Sequence, residues 1–180
     1  MLRKVIAVIL IFFNAMSIAF AFRIYVKPSL SYLSTTDDSD STATTSMAYG
    51  PGIAAGLGNV FYKYFYAGIE GFWIPNTLPV NSDSGSVYKI SYQYGISLLP
   101  GVSFDNTVIG YLRLGVLRSN FPNASAQVSA NQIGVGLEYS LSQNWGVNGE
   151  YNSERYKGST AVGTATTGKY TIGVLYKFNL

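Results

Sequence analysis

The sequence predicts an all-β protein, an eight-stranded antiparallel up-and-down transmembrane β-barrel, on three observations. Large apolar residues alternate with small or polar ones in eight separate segments. Short turns alternate with long polar links between those segments. The last segment, Tyr170-Thr171-Ile172-Gly173-Val174-Leu175-Tyr176-Lys177-Phe178-Asn179-Leu180, keeps its alternation to the final residue, with only Leu175 out of step. The ends of soluble domains fray in water. A terminal strand with one greasy face fits the closing strand of a barrel set in lipid.

The opposite end of the chain reads as a secretory signal. Arg3 and Lys4 precede an apolar run from Val5 to Phe13, and Ala19-Phe20-Ala21 forms a small-x-small cleavage site. Residues 1–21 are therefore assigned as a signal peptide and 22–180 as a single barrel domain. Beyond Ala21 no run of about eighteen apolar residues occurs, so strands rather than helices must do any spanning. Losing Arg3 and Lys4 lowers the net charge from +3 to +1, which removes any argument for a nucleic-acid partner. Cysteine and histidine are absent, so neither a disulfide nor a thiolate metal site is expected. Charged residues make up 12% and aromatics 15%, with tyrosine dominant; this is a sheet-forming composition with much aromatic surface.

The eight segments follow in order. The first, Ile24 to Leu33, sets Ile24, Val26, Leu30 and Tyr32 on one face. The second, Met47 to Leu57, does so with Met47, Tyr49, Ile53 and Leu57. The third, Phe61 to Ile74, is aromatic on both faces. The fourth, Val87 to Phe104, is read as one long strand with Tyr88, Ile90, Tyr92, Tyr94, Ile96, Leu98, Val102 and Phe104 opposite Lys89, Ser91, Gln93, Gly95 and Ser97. In the fifth, Val108, Leu112, Leu114 and Val116 oppose Tyr111, Arg113 and Gly115. The sixth sets Ile133, Val135, Leu137, Tyr139 and Leu141 against Gln132, Gly134, Gly136, Glu138 and Ser140. The seventh sets Trp145, Val147 and Tyr151 against Gly146, Asn148 and Glu150. The eighth is the terminus.

Gly58-Asn59-Val60, Asp105-Asn106-Thr107 and Ser142-Gln143-Asn144 read as tight turns. Centring hairpins on Asn59, Asn106 and Asn144 pairs Leu57 with Phe61, Phe104 with Val108 and Tyr139 with Gly149. The long links are placed at residues 34–46, 75–86, 119–130 and 152–168. Asp37, Asp38 and Asp40 in the first, and Glu154, Arg155 and Lys157 in the last, read as solvated surface charge. Tyr62, Tyr64 and Tyr66 read as an interfacial aromatic girdle.

The wet face is Gly, Ser, Asn and Gln with few charges, whereas a water-facing exterior would carry far more Lys and Glu. The strand charges therefore point inward: Lys27, Glu70, Lys89, Arg113, Glu138 and Glu150, with Lys169 and Lys177 in the same phase. A turn centred on Asn144 sets Glu138 directly against Glu150, which repel unless a cation lies between them. Arg113 and Lys27 are the candidates, and the expectation is a charge cluster inside the barrel.

With Ala19-Phe20-Ala21, the Gly134-Val135-Gly136-Leu137-Glu138-Tyr139 strand, the Trp145-to-Tyr151 strand and the closing Tyr176-Lys177-Phe178 in view, the chain resembles the small outer-membrane β-barrels of Gram-negative bacteria. These are the OmpA-type transmembrane-domain and opacity-protein group. The resemblance implies export to the outer membrane and partners among its lipid and lipopolysaccharide. It also implies that Tyr170, Ile172, Val174, Tyr176, Phe178 and Leu180 form an assembly signal for the barrel-insertion machinery. Family members usually end on Phe; here Asn179 and Leu180 follow Phe178. Enzymes on similar barrels use a catalytic histidine, which this chain lacks, and no cofactor or metal is expected. The function expected is structural or surface-exposed, with loops meeting a host or environmental ligand. The alternatives are a narrow porin and a soluble periplasmic lipocalin-like carrier.

Overall fold

The computed structural model describes residues 23–36, 45–75, 78–81, 87–105, 107–122, 126–156 and 166–178. The assigned signal peptide, the aspartates of the first link, Lys157 and Leu180 lie outside these residues. Ten strands are described: β1 (Arg23–Thr36), β2 (Thr45–Phe61), β3 (Phe65–Ile74), β4 (Leu78–Asn81), β5 (Val87–Ile90), β6 (Tyr92–Phe104), β7 (Val108–Phe121), β8 (Ala126–Ser140), β9 (Trp145–Tyr156) and β10 (Thr166–Phe178). Eight of them close a barrel in the order β1-β10-β9-β8-β7-β6-β3-β2, and β4 and β5 form a separate two-stranded sheet. Every barrel neighbour is antiparallel, and β1 seals the barrel against β10 through Ile24↔Phe178 to Thr35↔Thr167.

Alternation decides which face meets which medium. Ile133, Val135 and Leu137 are 61%, 55% and 61% exposed, while Gly134 and Gly136 between them and Gln132 and Glu138 on either side are buried. The apolar set therefore faces out and the polar set in. That is the reverse of a soluble ligand carrier, and it makes this a transmembrane barrel. Toward the long-link end, Tyr49, Tyr32, Tyr170 and Tyr151 pair directly across four neighbouring strands. Their ring centroids lie 5.1, 6.2 and 4.9 Å apart. Toward the short-turn end, Trp145 and Phe178 flank Tyr176 at 4.9 and 5.0 Å. Amphipathic rings collect at such levels because one edge of each can stay wet.

Three expectations are corrected. The first turn is not at Gly58-Asn59-Val60, which lies inside β2; Phe61 pairs with Phe65, and the chain reverses at Tyr62-Lys63-Tyr64. Gly58 is an inward position whose missing side chain leaves room for the Tyr66 hydroxyl. Tyr62 and Lys63 take φ of 50° and 71°, a conformation that costs a side-chain-bearing residue about 1–2 kcal/mol. The third turn centres on Gln143: Leu141 and Ser142 N–H groups both donate to the Trp145 carbonyl, at 2.9 and 3.0 Å. Glu138 therefore faces Asn148, and Tyr139 faces Val147. The long fourth segment breaks at Ser91, whose N–H donates to the Asn120 carbonyl at 2.9 Å. Its first part, β5, pairs with β4 instead of the barrel wall.

The belt predicts a depth-dependent penalty. Val135→Arg, at mid-belt on β8, should cost about 2–4 kcal/mol, and Asn131→Arg, near the long-link rim, about 0–1 kcal/mol. Reversible urea unfolding in lipid vesicles measures both.

Candidate functional site

The interior is built in layers from inward positions. In the middle layer the Lys27 ammonium lies 2.8 Å from Glu70 and 2.7 Å from Glu150. The Arg113 guanidinium lies 2.6 Å from Glu70 and 2.9 Å from Glu150. These four residues sit on β1, β3, β7 and β9, which are alternate strands of the closed order. Tyrosines and asparagines complete the carboxylates' bonding. The Tyr25 hydroxyl donates to Glu70 at 2.8 Å, while the Tyr111 hydroxyl and Asn148 amide donate to Glu150 at 2.6 and 2.8 Å.

Glycines on the intervening strands make this crossing possible. A Cβ on Gly136 of β8 would come within 2.5 Å of the Tyr111 ring. A Cβ on Gly173 of β10 would meet Lys27 Cγ at 2.9 Å. The small residues of the wet face are thus the space through which long charged side chains reach one another.

A second layer lies toward the long-link end. Glu154 pairs with Lys169 and accepts from Gln93 at 2.8 Å, Gln132 at 3.1 Å and the Tyr156 hydroxyl at 3.2 Å. Lys169 also donates to Gln93 at 3.0 Å and lies 5.1 Å from the Phe72 ring centroid. A third pair, Lys177 and Glu138 at 2.5 Å, lies near the short-turn end. Among the described buried residues four cations face four carboxylates, so the interior charge balances.

Apolar residues pack inside both ends. Ile90 of β5 is fully buried with Leu33, Leu117, Phe121, Val128 and Tyr156, so the β4–β5 hairpin folds into the long-link mouth. Tyr66, Leu99, Ile109 and Tyr111 pack together along β3, β6 and β7 toward the other end. Between the two larger ionic layers is a cavity of about 30 Å³ lined by Lys27, Arg113, Gln132 and Asn152 among others. That is space for about two waters. Arg113 Nε and Asn152 Oδ1 have no protein partner, which suits a wet cavity. Among the described residues no group of carboxylates converges to hold a metal ion.

The structure brings Lys27, Glu70, Arg113 and Glu150 together. It places Glu138 apart from them, with Lys177 rather than Arg113, because the third hairpin's register sets it opposite Asn148. Lys89 stands on β5 opposite Pro79, off the barrel wall. Glu154 is a correction: far from being loop surface, it is fully buried on β9, which runs on to Tyr156. The sequence carries that signal, since Asn152, Glu154 and Tyr156 continue the phase of Glu150. Tyr66 is likewise interior, while Tyr62 and Tyr64 are exposed. Tyr170, Ile172, Val174 and Phe178 are outward and Tyr176 half-buried in the same phase.

Removing one cation leaves two buried carboxylates sharing Lys27. Arg113→Ala should destabilise the barrel by about 3–5 kcal/mol, whereas Arg118→Ala, on the exposed outer wall of the same strand, should change stability by less than about 0.5 kcal/mol. Urea unfolding in vesicles compares the two.

No family model matches the chain, and no curated protein matches it. Solved structures do. Neisserial surface protein A aligns at a TM-score of 0.56 with 16% identity, over 86% of this chain and 97% of its own. Ail, the attachment invasion locus protein of Yersinia pestis, aligns in its complex with the heparin analogue sucrose octasulfate at a TM-score of 0.54. Identity there is 13%, over 89% of this chain and 100% of Ail. With its lipid-facing apolar belt and closed eight-strand order, the chain has the fold of the small Gram-negative outer-membrane β-barrels.

Proposed function

We propose that this protein is a non-catalytic outer-membrane barrel that acts through its long-link end, with both termini in the periplasm and the signal peptide removed on export. One observation carries the reading: the interior is charge-balanced, bridged from wall to wall by ion pairs and packed with apolar residues inside both ends. Such an interior supports a membrane anchor rather than a solute path. Activity then belongs to the surfaces the barrel holds up. Similarity of fold to a neisserial surface protein and to an attachment protein captured with a sulfated sugar supports a surface ligand, from a host or the environment, as the partner. Outer-membrane lipid and lipopolysaccharide surround the belt. The absence of histidine from the whole sequence argues against the acid–base chemistry that comparable scaffolds need for catalysis.

Refolded protein in planar bilayers, with heat-modifiable gel mobility as the folding control, tests this. The expected result is a heat-modifiable barrel with no discrete conductance. Discrete channels whose conductance changes in Arg113→Ala would make it a narrow porin instead. The outward aromatic face of β10 is the proposed assembly signal, so Phe178→Ser should reduce the heat-modifiable fraction recovered from outer membranes several-fold, measured by gel shift, while vesicle refolding of purified protein continues.

A further inference from the structure

The short-turn mouth holds a cavity of about 340 Å³ that the closed-barrel reading does not use. Its size falls within the range of small-ligand pockets. Arg23, Lys63, Lys177 and Glu138 supply its charges, and Tyr25, Tyr66 and Ile109 line it deeper in. The cavity is a dead end, because the Lys27, Glu70, Arg113 and Glu150 layer joins four alternate strands across the barrel above it.

Its charge is unbalanced, unlike that of the layers above. Lys177 is committed to Glu138 at 2.5 Å and donates to Ser140 at 2.8 Å. Arg23 and Lys63 have no ion pair among the described residues. Two cations therefore line one opening whose single lining carboxylate, Glu138, is already paired with Lys177.

The turn that carries Lys63 supplies a second, independent observation. Its two central residues, Tyr62 and Lys63, both have positive φ. A tight hairpin of this hand is best served by Asn-Gly. Neither residue makes a described hydrogen bond or ion pair that would offset the strain, and Tyr62 is 82% exposed. Lys63 nevertheless lines the cavity. Strained side-chain-bearing turns cluster where a side chain serves a site rather than the fold.

We propose that this mouth binds an anionic oxygen group, a carboxylate or a phosphate, carried on a small molecule or a narrow chain end and held between Arg23 and Lys63. Guanidinium and ammonium groups suit both anions through charge-assisted hydrogen bonds. The closed interior above limits entry to the length of the vestibule. The proposal does not depend on what the long-link end binds.

Calorimetric titration of the refolded, heat-modifiable protein in an uncharged detergent tests it, with succinate and inorganic phosphate as probes and choline as the cationic control. Saturable binding of either anion, and none of choline, is expected; which anion binds tells the two sources apart. Arg23→Gln with Lys63→Gln should weaken affinity by about tenfold or more, and Arg118→Gln on the outer wall should not. Tyr62→Asn with Lys63→Gly separates site from fold: it should raise the urea unfolding midpoint while lowering anion affinity about tenfold. Absence of saturable binding by both anions would overturn the proposal. So would affinity that survives both double variants, or that falls equally in Arg118→Gln.

Discussion

The layer formed by Lys27, Glu70, Arg113 and Glu150 is the interaction on which the rest of the barrel depends. It joins four alternate strands across the interior. Outside, lipid gives apolar side chains no reason to gather inward, so closure cannot rest on a greasy core. Inside, every polar group must find a partner or a water. Two cations between two carboxylates, each carboxylate also bonded by a tyrosine, meet both demands. Such a cluster adds little net stability over a well-packed apolar alternative, but it is costly to break. It therefore fixes strand register more than it deepens the energy well.

That layer also explains the composition around it. Long side chains reach the axis only where the intervening strand carries almost nothing, which is why Gly136 and Gly173 stand beside Tyr111 and Lys27. The second layer around Glu154 repeats the scheme with fewer charges and more amides. The two ends depart from it. At the long-link end the β4–β5 hairpin drops Ile90 into an apolar plug. At the short-turn end the charges no longer balance, and a vestibule opens between Arg23 and Lys63. A sealed middle with two different ends is the architecture of an anchor that presents surfaces, and each end has its own chemistry.

Much of this was legible in the sequence because the sheet's period is two. Along Ile133-Gly134-Val135-Gly136-Leu137-Glu138-Tyr139 one residue decides the phase of all the others, so outward and inward sets follow without knowledge of neighbours. The same rule put Lys27, Glu70, Arg113 and Glu150 on the inner face. It reached Glu154 too, yet a charged, polar stretch reads as loop when composition is weighed above phase. Turn chemistry misled in the same way. Gly58-Asn59 has the residues of a hairpin but serves to admit Tyr66, and the true reversal uses Tyr62 and Lys63.

Face and medium were thus determined by the sequence alone: alternation is local, and the choice between lipid and water at each position is written in side-chain polarity. Pairing was decided only by the tertiary structure. Whether Glu138 meets Glu150 or Lys177 turns on a one-residue difference in where the third hairpin centres, and on which strands closure brings across the axis. The break at Ser91 is of the same kind, since β5 pairs with β4 and sets Ile90 among apolar residues that closure brings together at the mouth. Alternation sets a side chain's direction, but its partner depends on register and closure, which are properties of the whole barrel.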